Sequence, residues 1–202
     1  MKYVVSEEFL SFQGEGCFAG QKAYFIRLFG CPVKCAWCDT KYAWGDSLNT
    51  YCATAEELAK RAKESLANFA VITGGEPCAQ DLRELTNALK KANVKTHLET
   101  SGFCESSADF NWITLSPKLG KPVKQRFLDS ATEAKFIVSE IAELPEYENL
   151  AKLIPNAQAY WLHCEASKAA DKALLNAISN FVVQKGGKFR VGWQLHKLFN
   201  AK

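Results

Sequence analysis

Three cysteines lie within eight residues of this chain, in the segment CPVKCAWC that begins at Cys31 and ends at Cys38. Their spacing, C-x3-C-x2-C, places three thiols on one loop directly after the apolar run AYFIRLF at 23–29. Because successive positions of a loop face different directions, these side chains are not all expected to be packing residues. Cysteine thiolate is a soft ligand that favours zinc, Cu(I) and iron–sulfur clusters. The segment therefore predicts a metal centre held by Cys31, Cys35 and Cys38.

The spacing alone leaves the kind of centre open. A structural zinc site normally has four protein ligands, often as two paired knuckles, whereas this chain has one cysteine cluster. A thioredoxin-like redox pair would use Cys35 and Cys38, although the third cysteine and the Pro and Lys within the loop weaken that alternative. An iron–sulfur cluster and a zinc site are about equally favoured by the spacing.

A second candidate is the segment TGGEP at 73–77, which follows the short apolar run AVIT at 70–73. Glycine lets backbone groups approach a ligand closely. The carboxylate of Glu76 supplies an acceptor for an ammonium group. The alternative is a simple Gly-Gly turn after a strand.

The two motifs together resemble those of the radical S-adenosylmethionine (SAM) enzymes, in which an aromatic residue such as Trp37 precedes the last cysteine and a GGE loop follows a strand. The resemblance implies that the cysteines hold three irons of a 4Fe-4S cluster and that the amino and carboxylate groups of SAM chelate the fourth. It also implies a cellular one-electron reductant, whose electron breaks the sulfonium C–S bond and releases a 5′-deoxyadenosyl radical. A missing protein ligand is an open coordination position, where substrate chemistry takes place.

Further segments are similar to the 7-carboxy-7-deazaguanine synthases, over about the first three-fifths of the chain. They are FQGEG at 12–16 with Gly20, FIRL at 25–28, GC at 30–31, CDT at 38–40, ETSG at 99–102 and SPK at 116–118, with a weaker terminal match, LHK, at 195–197.

This second resemblance implies a ring contraction of 6-carboxy-5,6,7,8-tetrahydropterin to 7-carboxy-7-deazaguanine and ammonia. The reaction is that of a lyase on the route to queuosine and other 7-deazapurines. The radical takes a hydrogen atom from pterin C6, SAM is regenerated, and Mg²⁺ assists. The resemblance also implies a homodimer.

Two other functions remain alternatives at this point. Another radical SAM enzyme, such as an activase that makes a glycyl radical on a partner protein, shares the cysteine spacing. It would not need the segment 13–16 or Arg27. A zinc-binding module without enzymatic activity is the less favoured alternative.

The resemblance assigns roles residue by residue. Mg²⁺ is assigned to Thr40, a hard oxygen ligand, and the alternative is that Thr40 caps a helix. No catalytic residue is assigned beyond the cluster ligands, and Glu76, Glu99 and His196 are further candidates without a fixed ligand. Substrate contacts are assigned to Phe12, Gln13, Gly14, Glu15, Arg27 and Thr73. SAM contacts are assigned to Trp37, Cys38, Asp39, Gly75, Ser116, Pro117 and Lys118.

Two of these assignments have a direct chemical reason. The Glu15 carboxylate suits the hydrogen-bond donors on the guanidine-like edge of a pterin. The planar fork of Arg27 suits bidentate recognition of the substrate carboxylate. An arginine in an otherwise apolar strand also needs a partner, so a structural ion pair is the alternative for Arg27.

The elements that position these residues are strands alternating with helical patterns, which predicts parallel βα units. A complete TIM barrel takes ~250 residues, so we expect an α/β fold of the radical SAM type, a partial, open TIM-like βα barrel with mostly parallel strands. The candidate loops each follow a strand directly, and the carboxyl ends of parallel strands meet at one rim. The predicted strands are 23–29, 70–73, 94–98, 112–115, 135–138 and 160–163.

One helix has a clear start signal. Thr54 and Glu57 form the capping-box pattern, with Thr at the cap and Glu three residues later. The helical period then places Leu58, Ala62 and Leu66 on the buried face, followed by Phe69.

Length, charge and composition limit the remaining possibilities. A chain of 202 residues with a net charge of +3 is expected to be one domain, 1–202, that acts on a small molecule rather than on nucleic acid or a membrane. No apolar run approaches the ~20 residues that span a bilayer, and acidic residues interrupt the N-terminal segment where a signal peptide would stay apolar. We therefore expect a cytoplasmic protein with reduced thiols. The five isolated cysteines are expected to be small buried apolar residues. They are Cys17, Cys52, Cys78, Cys104 and Cys164.

Overall fold

The computed structural model describes residues 1–45 and 49–202, which contain nine strands and six α-helices. The strands are β1 (Lys2–Phe12), β2 (Lys22–Leu28), β3 (Tyr51–Thr54), β4 (Phe69–Gly74), β5 (Thr96–Thr100), β6 (Trp112–Leu115), β7 (Glu133–Val138), β8 (Tyr160–Cys164) and β9 (Phe189–Val191). The helices are α1 (Ala55–Glu64), α2 (Arg83–Lys91), α3 (Gln125–Ser130), α4 (Leu144–Lys152), α5 (Lys172–Lys185) and α6 (Leu195–Leu198).

All nine strands form one open sheet in the order β3-β1-β2-β4-β5-β6-β7-β8-β9. β1 pairs antiparallel with β2 and β3, and the pairs from β2 to β9 are parallel. The predicted fold class, an open α/β sheet of mostly parallel strands, is therefore confirmed. The six predicted strands are present, with ends displaced by at most two residues.

β1 was not predicted because charged residues interrupt its apolar pattern. Glu7 and Glu8 lie in the middle of the strand, and each has a cationic partner. Arg27 on β2 lies 2.8 Å from Glu7, and Arg61 on α1 lies 2.7 Å from Glu8. Cross-strand and strand–helix ion pairs of this kind cannot be inferred from the sequence of the strand itself.

The two faces of the sheet have different neighbours, because successive side chains of a strand point to opposite sides. On β4, Ala70 and Ile72 belong to the main core that the sheet forms with the helices. Phe69 and Val71 face the other way and pack with Phe25 of β2 in a smaller cluster. We call this second face the inner face of the sheet.

The inner face changes from apolar to polar along the strands. Its aromatic cluster lies toward the amino ends, and polar residues follow near the carboxyl ends of the same strands. These are Arg27 on β2, Thr73 on β4, Glu99 on β5 and His163 on β8, whereas Lys135 lies in the first half of β7, opposite Trp161. Strand register keeps them at one end, since Arg27 lies opposite Thr73 and Ile137 lies opposite His163.

The capping box at α1 is present as predicted. The Glu57 amide donates to Thr54 Oγ1 at 3.2 Å, and the Thr54 amide donates to Glu57 Oε2 at 2.8 Å. The prediction of the buried face was wrong at the C-terminal end of this helix. The helix ends at Glu64, Leu66 takes a left-handed φ of 52° and is 77% exposed, and Phe69 already belongs to β4.

The isolated cysteines were expected to be buried, and that expectation was wrong for most of them. Cys17 and Cys52 are exposed, Cys104 and Cys164 are half-buried, and Cys78 is buried. The residue type alone does not determine burial here, because Cys52 lies on edge strand β3 and Cys17 in the loop after β1. Within the described part of the chain, no helix is both long and apolar enough to span a membrane.

His97 on β5 lies inside the aromatic cluster of the inner face. Its ring stacks on Phe69 with 3.9 Å between ring centroids, and it meets the Phe18 ring edge-on with 4.5 Å between centroids. Burial, with a smaller contribution from the charge of Lys95, lowers the pKa of His97 to about 4. The folded protein therefore holds this imidazole neutral where the unfolded chain would protonate it.

We expect His97 to make the protein less stable in acid. Between its ordinary pKa of 6.5 and about 4 the unfolded chain binds the extra proton, so the free energy of unfolding falls as the pH falls through that window. Its contribution to the slope is at most about 1.4 kcal/mol per pH unit. Urea unfolding at several pH values between 7 and 5 should show a shallower dependence for His97→Phe. Phe18→Leu, in the same cluster, is the matched control, and an unchanged slope for His97→Phe contradicts the prediction.

Candidate active site

A cavity of about 260 Å³ lies at the carboxyl ends of the strands, on the inner face of the sheet. Most of the residues predicted from the sequence line it. Glu76 and Pro117 are the two that do not belong to the described lining. The predicted residues in the lining are Phe12, Gln13, Gly14, Glu15, Arg27, Cys31, Cys35, Trp37, Cys38, Asp39, Thr40, Thr73, Gly75, Glu99, Ser116, Lys118 and His196.

The three clustered cysteines are free, half-buried thiols on one side of this cavity. The loop is held by its own backbone, with the Cys38 amide donating to the Cys35 carbonyl at 3.2 Å. Trp44 Nε1 donates to Cys38 Sγ at 3.3 Å, a contact that stabilises a thiolate. Three adjacent soft ligands open to a cavity fit an iron–sulfur cluster with one iron available to a ligand.

The described residues do not include a group of three or more His, Cys, Asp or Glu side chains arranged around a single metal ion. A zinc ion requires all its sulfur ligands at about 2.3 Å from one point. The ligands of an iron–sulfur cluster bind different irons and therefore lie farther apart. Cys31, Cys35 and Cys38 are suited by residue type to either kind of centre.

The glycine loop after β4 packs directly on the cysteine loop. A Cβ atom on Gly75 would lie 2.4 Å from the Gly30 carbonyl oxygen and 2.7 Å from Cys31 Cβ. The Glu76 amide donates to the same Gly30 oxygen at 2.9 Å. Gly75 thus allows the glycine loop to lie against the Gly30 backbone and the Cys31 side chain at the wall of the cavity.

Glu76 does not present its carboxylate to the cavity. The side chain is 1% exposed and accepts hydrogen bonds from Thr100 Oγ1 at 2.6 Å, the Ser101 amide at 2.8 Å and the Cys78 amide at 3.1 Å. The Ser101 hydroxyl also donates to it. Its carboxylate therefore links the loop after β4 to the loop after β5 through these hydrogen bonds. It is not directed at the cavity as an acceptor for the ammonium group of a ligand.

Lys118 joins the loop after β6 to the cysteine loop. Its Nζ donates to the Ser116 carbonyl at 2.8 Å and to Ser116 Oγ at 2.7 Å, and lies 5.4 Å from the centroid of the Trp37 ring. Burial, and then the charge of Lys135, lowers the pKa of Lys118 to about 8. The candidate SAM residues Trp37, Ser116 and Lys118 therefore form one contact group.

Glu99 lies between two residues assigned to the substrate. Its Oε1 accepts from Gln13 Nε2 at 2.9 Å, and its Oε2 accepts from Thr73 Oγ1 at 2.9 Å. The sequence did not indicate whether Glu99 contacts SAM or the substrate. The structure places it beside the candidate substrate residues, where it orients both.

Glu15 forms a mostly buried ion pair with Lys135, a residue that the sequence analysis did not single out. Glu15 Oε2 lies 2.6 Å from Lys135 Nζ, and Gln194 Nε2 donates to Glu15 Oε1 at 2.9 Å. Burial opposes ionisation of both groups, but the opposite charge outweighs it, so the pKa of Glu15 is well below and that of Lys135 well above its ordinary value. A lysine two residues after Glu133 in an apolar strand was the signal that was missed.

Arg27 shows both of the expected kinds of contact. Its Nε donates to Glu7 Oε1 at 2.8 Å, the structural ion pair that was the alternative, and its side chain also lines the cavity. Tyr42 and Lys202 hold the same Glu7 carboxylate, at 2.9 Å and 2.6 Å. The two Nη nitrogens of Arg27 are not used by its bond to Glu7.

The C-terminal segment completes the cavity at the substrate residues. The Leu195 amide donates to the Gly14 carbonyl at 2.8 Å. A Cβ on Gly14 would lie 2.0 Å from His196 Nδ1, so the imidazole packs against the Gly14 backbone. The weak terminal match in the sequence thus lies beside the segment 12–16.

Comparison with known proteins gives consistent relatives. Residues 25–128 match the family model of the radical SAM superfamily. The chain is 36% identical to the 7-carboxy-7-deazaguanine synthase of Synechocystis, with all of the chain and 95% of that protein covered. It is 34% identical to the 7-carboxy-7-deazaguanine synthase of Escherichia coli K12, with 99% of each covered. The crystal structure of QueE from Escherichia coli superposes with a TM-score of 0.83 at 33% identity, over 97% of this chain and 95% of that one.

We expect Lys135→Met to destabilise the protein strongly, because it leaves the Glu15 carboxylate buried without its partner. Breaking one side of a buried pair typically costs about 3–5 kcal/mol. The double variant Lys135→Met/Glu15→Leu removes both charges and should regain most of that loss in urea unfolding at pH 7. If Lys135→Met unfolds at the same urea concentration as the unchanged chain, the ion pair does not have this role.

Proposed function

This chain belongs to the 7-carboxy-7-deazaguanine synthase family of the radical SAM superfamily, and on that premise we propose that it contracts the ring of 6-carboxy-5,6,7,8-tetrahydropterin to 7-carboxy-7-deazaguanine. The reaction releases ammonia and belongs to the biosynthesis of queuosine and other 7-deazapurines. The observation that carries the proposal is the single cavity that the cysteine loop, the glycine loop at 73–77 and the segment 12–15 line together.

The residues around the cavity support a division into two sides. Cys31, Cys35 and Cys38 would hold the 4Fe-4S cluster, and Gly75 with the Trp37–Lys118 contact group would hold SAM. When bound, the reduced cluster and SAM supply a 5′-deoxyadenosyl radical that takes a hydrogen atom from the substrate carbon. The chain's own residues hold the substrate for this step and exclude water from it.

The substrate side is built from groups that are already charged and oriented. Lys135 keeps Glu15 ionised, so this carboxylate accepts hydrogen bonds from the guanidine-like edge of the pterin. Gln13 and Thr73 are held by Glu99, which limits the directions in which they contact the ring. The Nη nitrogens of Arg27 suit the substrate carboxylate. Contacts fixed before binding lose little conformational freedom when the substrate arrives.

Mg²⁺ is part of the proposal, with Thr40 as its protein ligand. Thr40 precedes a short 3₁₀ turn at 41–43, but its side chain makes no capping hydrogen bond, so capping does not account for the hydroxyl. Its Oγ1 lies 3.5 Å from Cys38 Sγ. Mg²⁺ keeps several waters and takes few protein ligands. One hydroxyl and the substrate carboxylate are therefore a sufficient set.

The reaction class, domain organisation, oligomeric state, electron donor and compartment are also part of the proposal. We propose that the chain is a lyase, a single domain over 1–202 and a homodimer, as the family resemblance implies. A cellular one-electron reductant supplies the electron. All eight cysteines are free thiols, which is consistent with a reducing compartment such as the cytoplasm.

The proposed function is tested with the purified chain, reconstituted anaerobically with iron and sulfide. Incubation with SAM, Mg²⁺, dithionite and the carboxytetrahydropterin should give 7-carboxy-7-deazaguanine and ammonia, measured by mass spectrometry and ammonia assay. Cys31→Ala should lose both bound iron and product, because one cluster ligand is missing. Cys52→Ala removes an exposed thiol outside the cavity and should keep both. A fully reconstituted chain that forms no product contradicts the proposal.

The Mg²⁺ assignment is tested with a matched pair of variants. Thr40→Val keeps the shape of the side chain and removes the hydroxyl, so we expect kcat/KM to fall about tenfold or more and the Mg²⁺ requirement to rise. Thr40→Ser keeps the oxygen and should stay close to the unchanged enzyme. Equal Mg²⁺ titration curves for Thr40→Val and Thr40→Ser would remove Thr40 from the metal site.

A further inference from the structure

Trp44 makes a hydrogen bond to one of the three clustered cysteines, although it belongs to none of the sequence motifs. Its indole nitrogen, Nε1, donates to Cys38 Sγ at 3.3 Å. The Trp44 side chain is half-buried and lines the main cavity together with Cys38. The proposed function gives this donor no role, although it contacts a candidate cluster ligand at the cavity wall.

The backbone before Trp44 holds this residue beside the cysteine loop. Trp44 directly follows the short 3₁₀ turn at 41–43. The Gly30 amide donates to the Ala43 carbonyl of this turn at 2.7 Å, and Ala43 is fully buried. Gly30 directly precedes Cys31, so the turn is bonded to the start of the cysteine loop. The position of Trp44 is therefore set by the backbone, independently of its own side-chain contact.

The acceptor is an unusual one for an indole N–H. A buried indole N–H normally finds a hydrogen-bond partner, and the sulfur of a neutral thiol is a weak acceptor. A thiolate that binds iron carries negative charge, and a hydrogen bond with an ionised partner is roughly twice as strong as a neutral one. The Trp44 donor therefore suits Cys38 as a cluster ligand better than as a free thiol.

A hydrogen bond to a cysteine sulfur acts on the reduction potential of an iron–sulfur cluster. Reduction takes one electron from the cellular reductant and adds negative charge to the cluster and its cysteine sulfurs. An N–H donor interacts more favourably with the more negative sulfur, so it stabilises the reduced form relative to the oxidised form. Removal of the donor is therefore expected to make the cluster harder to reduce.

We propose that Trp44 is a positioning residue that hydrogen-bonds the Cys38 sulfur of the bound cluster and raises its reduction potential, an inference that rests on the proposed function. In this role Trp44 holds no iron itself and acts through Cys38. The alternative is that the indole only packs beside the cysteine loop, and that the Cys38 sulfur loses this contact when it binds iron.

Two matched variants separate the hydrogen bond from packing. Trp44→Phe removes the indole N–H and keeps an aromatic ring. Tyr42→Phe is the control, because it removes one donor from the same turn, and the partner of that donor is Glu7, at 2.9 Å, and not a cysteine. Each enzyme is reconstituted anaerobically with iron and sulfide, without SAM or substrate. Iron and sulfide are quantified first, and the reduction potential is then measured by a redox titration followed by EPR.

The expected result is a lower potential for Trp44→Phe at equal iron content. At the potential that reduces half of the clusters in the unchanged chain, the ratio of reduced to oxidised clusters should fall about threefold or more. For a one-electron couple this ratio corresponds to a shift of about 30 mV or more. Tyr42→Phe should keep the potential of the unchanged chain. An unchanged potential in iron-loaded Trp44→Phe, or an equal shift in Tyr42→Phe, overturns the inference.

A second measurement needs no substitution at Trp44 and applies if Trp44→Phe does not assemble its cluster. The chain is produced with ¹⁵N in the indole ring of tryptophan, and the reduced cluster is examined by pulsed EPR. The hydrogen bond predicts a ¹⁵N coupling to the cluster spin, which Trp37→Phe should retain although Trp37 lies within the cysteine loop. Absence of the coupling, or its loss in Trp37→Phe, overturns the inference. Failure of the unchanged chain to take up iron and sulfide refutes the proposed function instead, so the two failures are distinguishable.

Discussion

The close approach of two backbone segments at the ends of β2 and β4 is the constraint on which the candidate site depends. A Cβ on Gly74 would lie 2.1 Å from the Leu28 carbonyl oxygen, and one on Gly75 would lie 2.4 Å from the Gly30 oxygen. Only glycine at both positions lets the strands stay paired to their ends. The cysteine loop begins directly after Gly30, so its starting direction is set by this contact. The two glycines therefore allow the cysteine loop to pack against the end of β4. A simple Gly-Gly turn would not require so close an approach.

The rest of the site is held by polar contacts that sit above an apolar floor. Phe25, Phe69 and Val71 fill the inner face toward the amino ends of the strands. Above them, Glu15 is paired with Lys135 at the wall of the cavity, where both side chains are mostly buried. Charges in such surroundings must be paired within the protein, and the pairing fixes their directions. The same arrangement that stabilises the fold thus orients the groups that a polar ligand would meet.

The fold and the cofactor side could be predicted because their signals are local in the sequence. The cysteine spacing, the glycines after β4 and the apolar strand runs each occupy fewer than about ten consecutive residues. Contacts between distant positions could not be predicted in this way. Lys135 meets Glu15 across 120 positions, and Gln194 meets Glu15 across 179. Neither position carries a motif, and β1 was missed because the partners of its glutamates lie on other elements.

The central part of the chain and its two ends both contribute residues to the cavity. The superfamily match covers 25–128, which contains the cysteine loop, the glycine loop and Ser116 with Lys118. The segment 12–15 lies before that range, and Lys135 and 194–196 lie after it, whereas Arg27, Thr73 and Glu99 of the substrate side lie within it. The chain's two ends meet where the Leu195 amide donates to the Gly14 carbonyl. The ends of the chain therefore add their contacts to those of Arg27, Thr73 and Glu99, which lie in the matched central part.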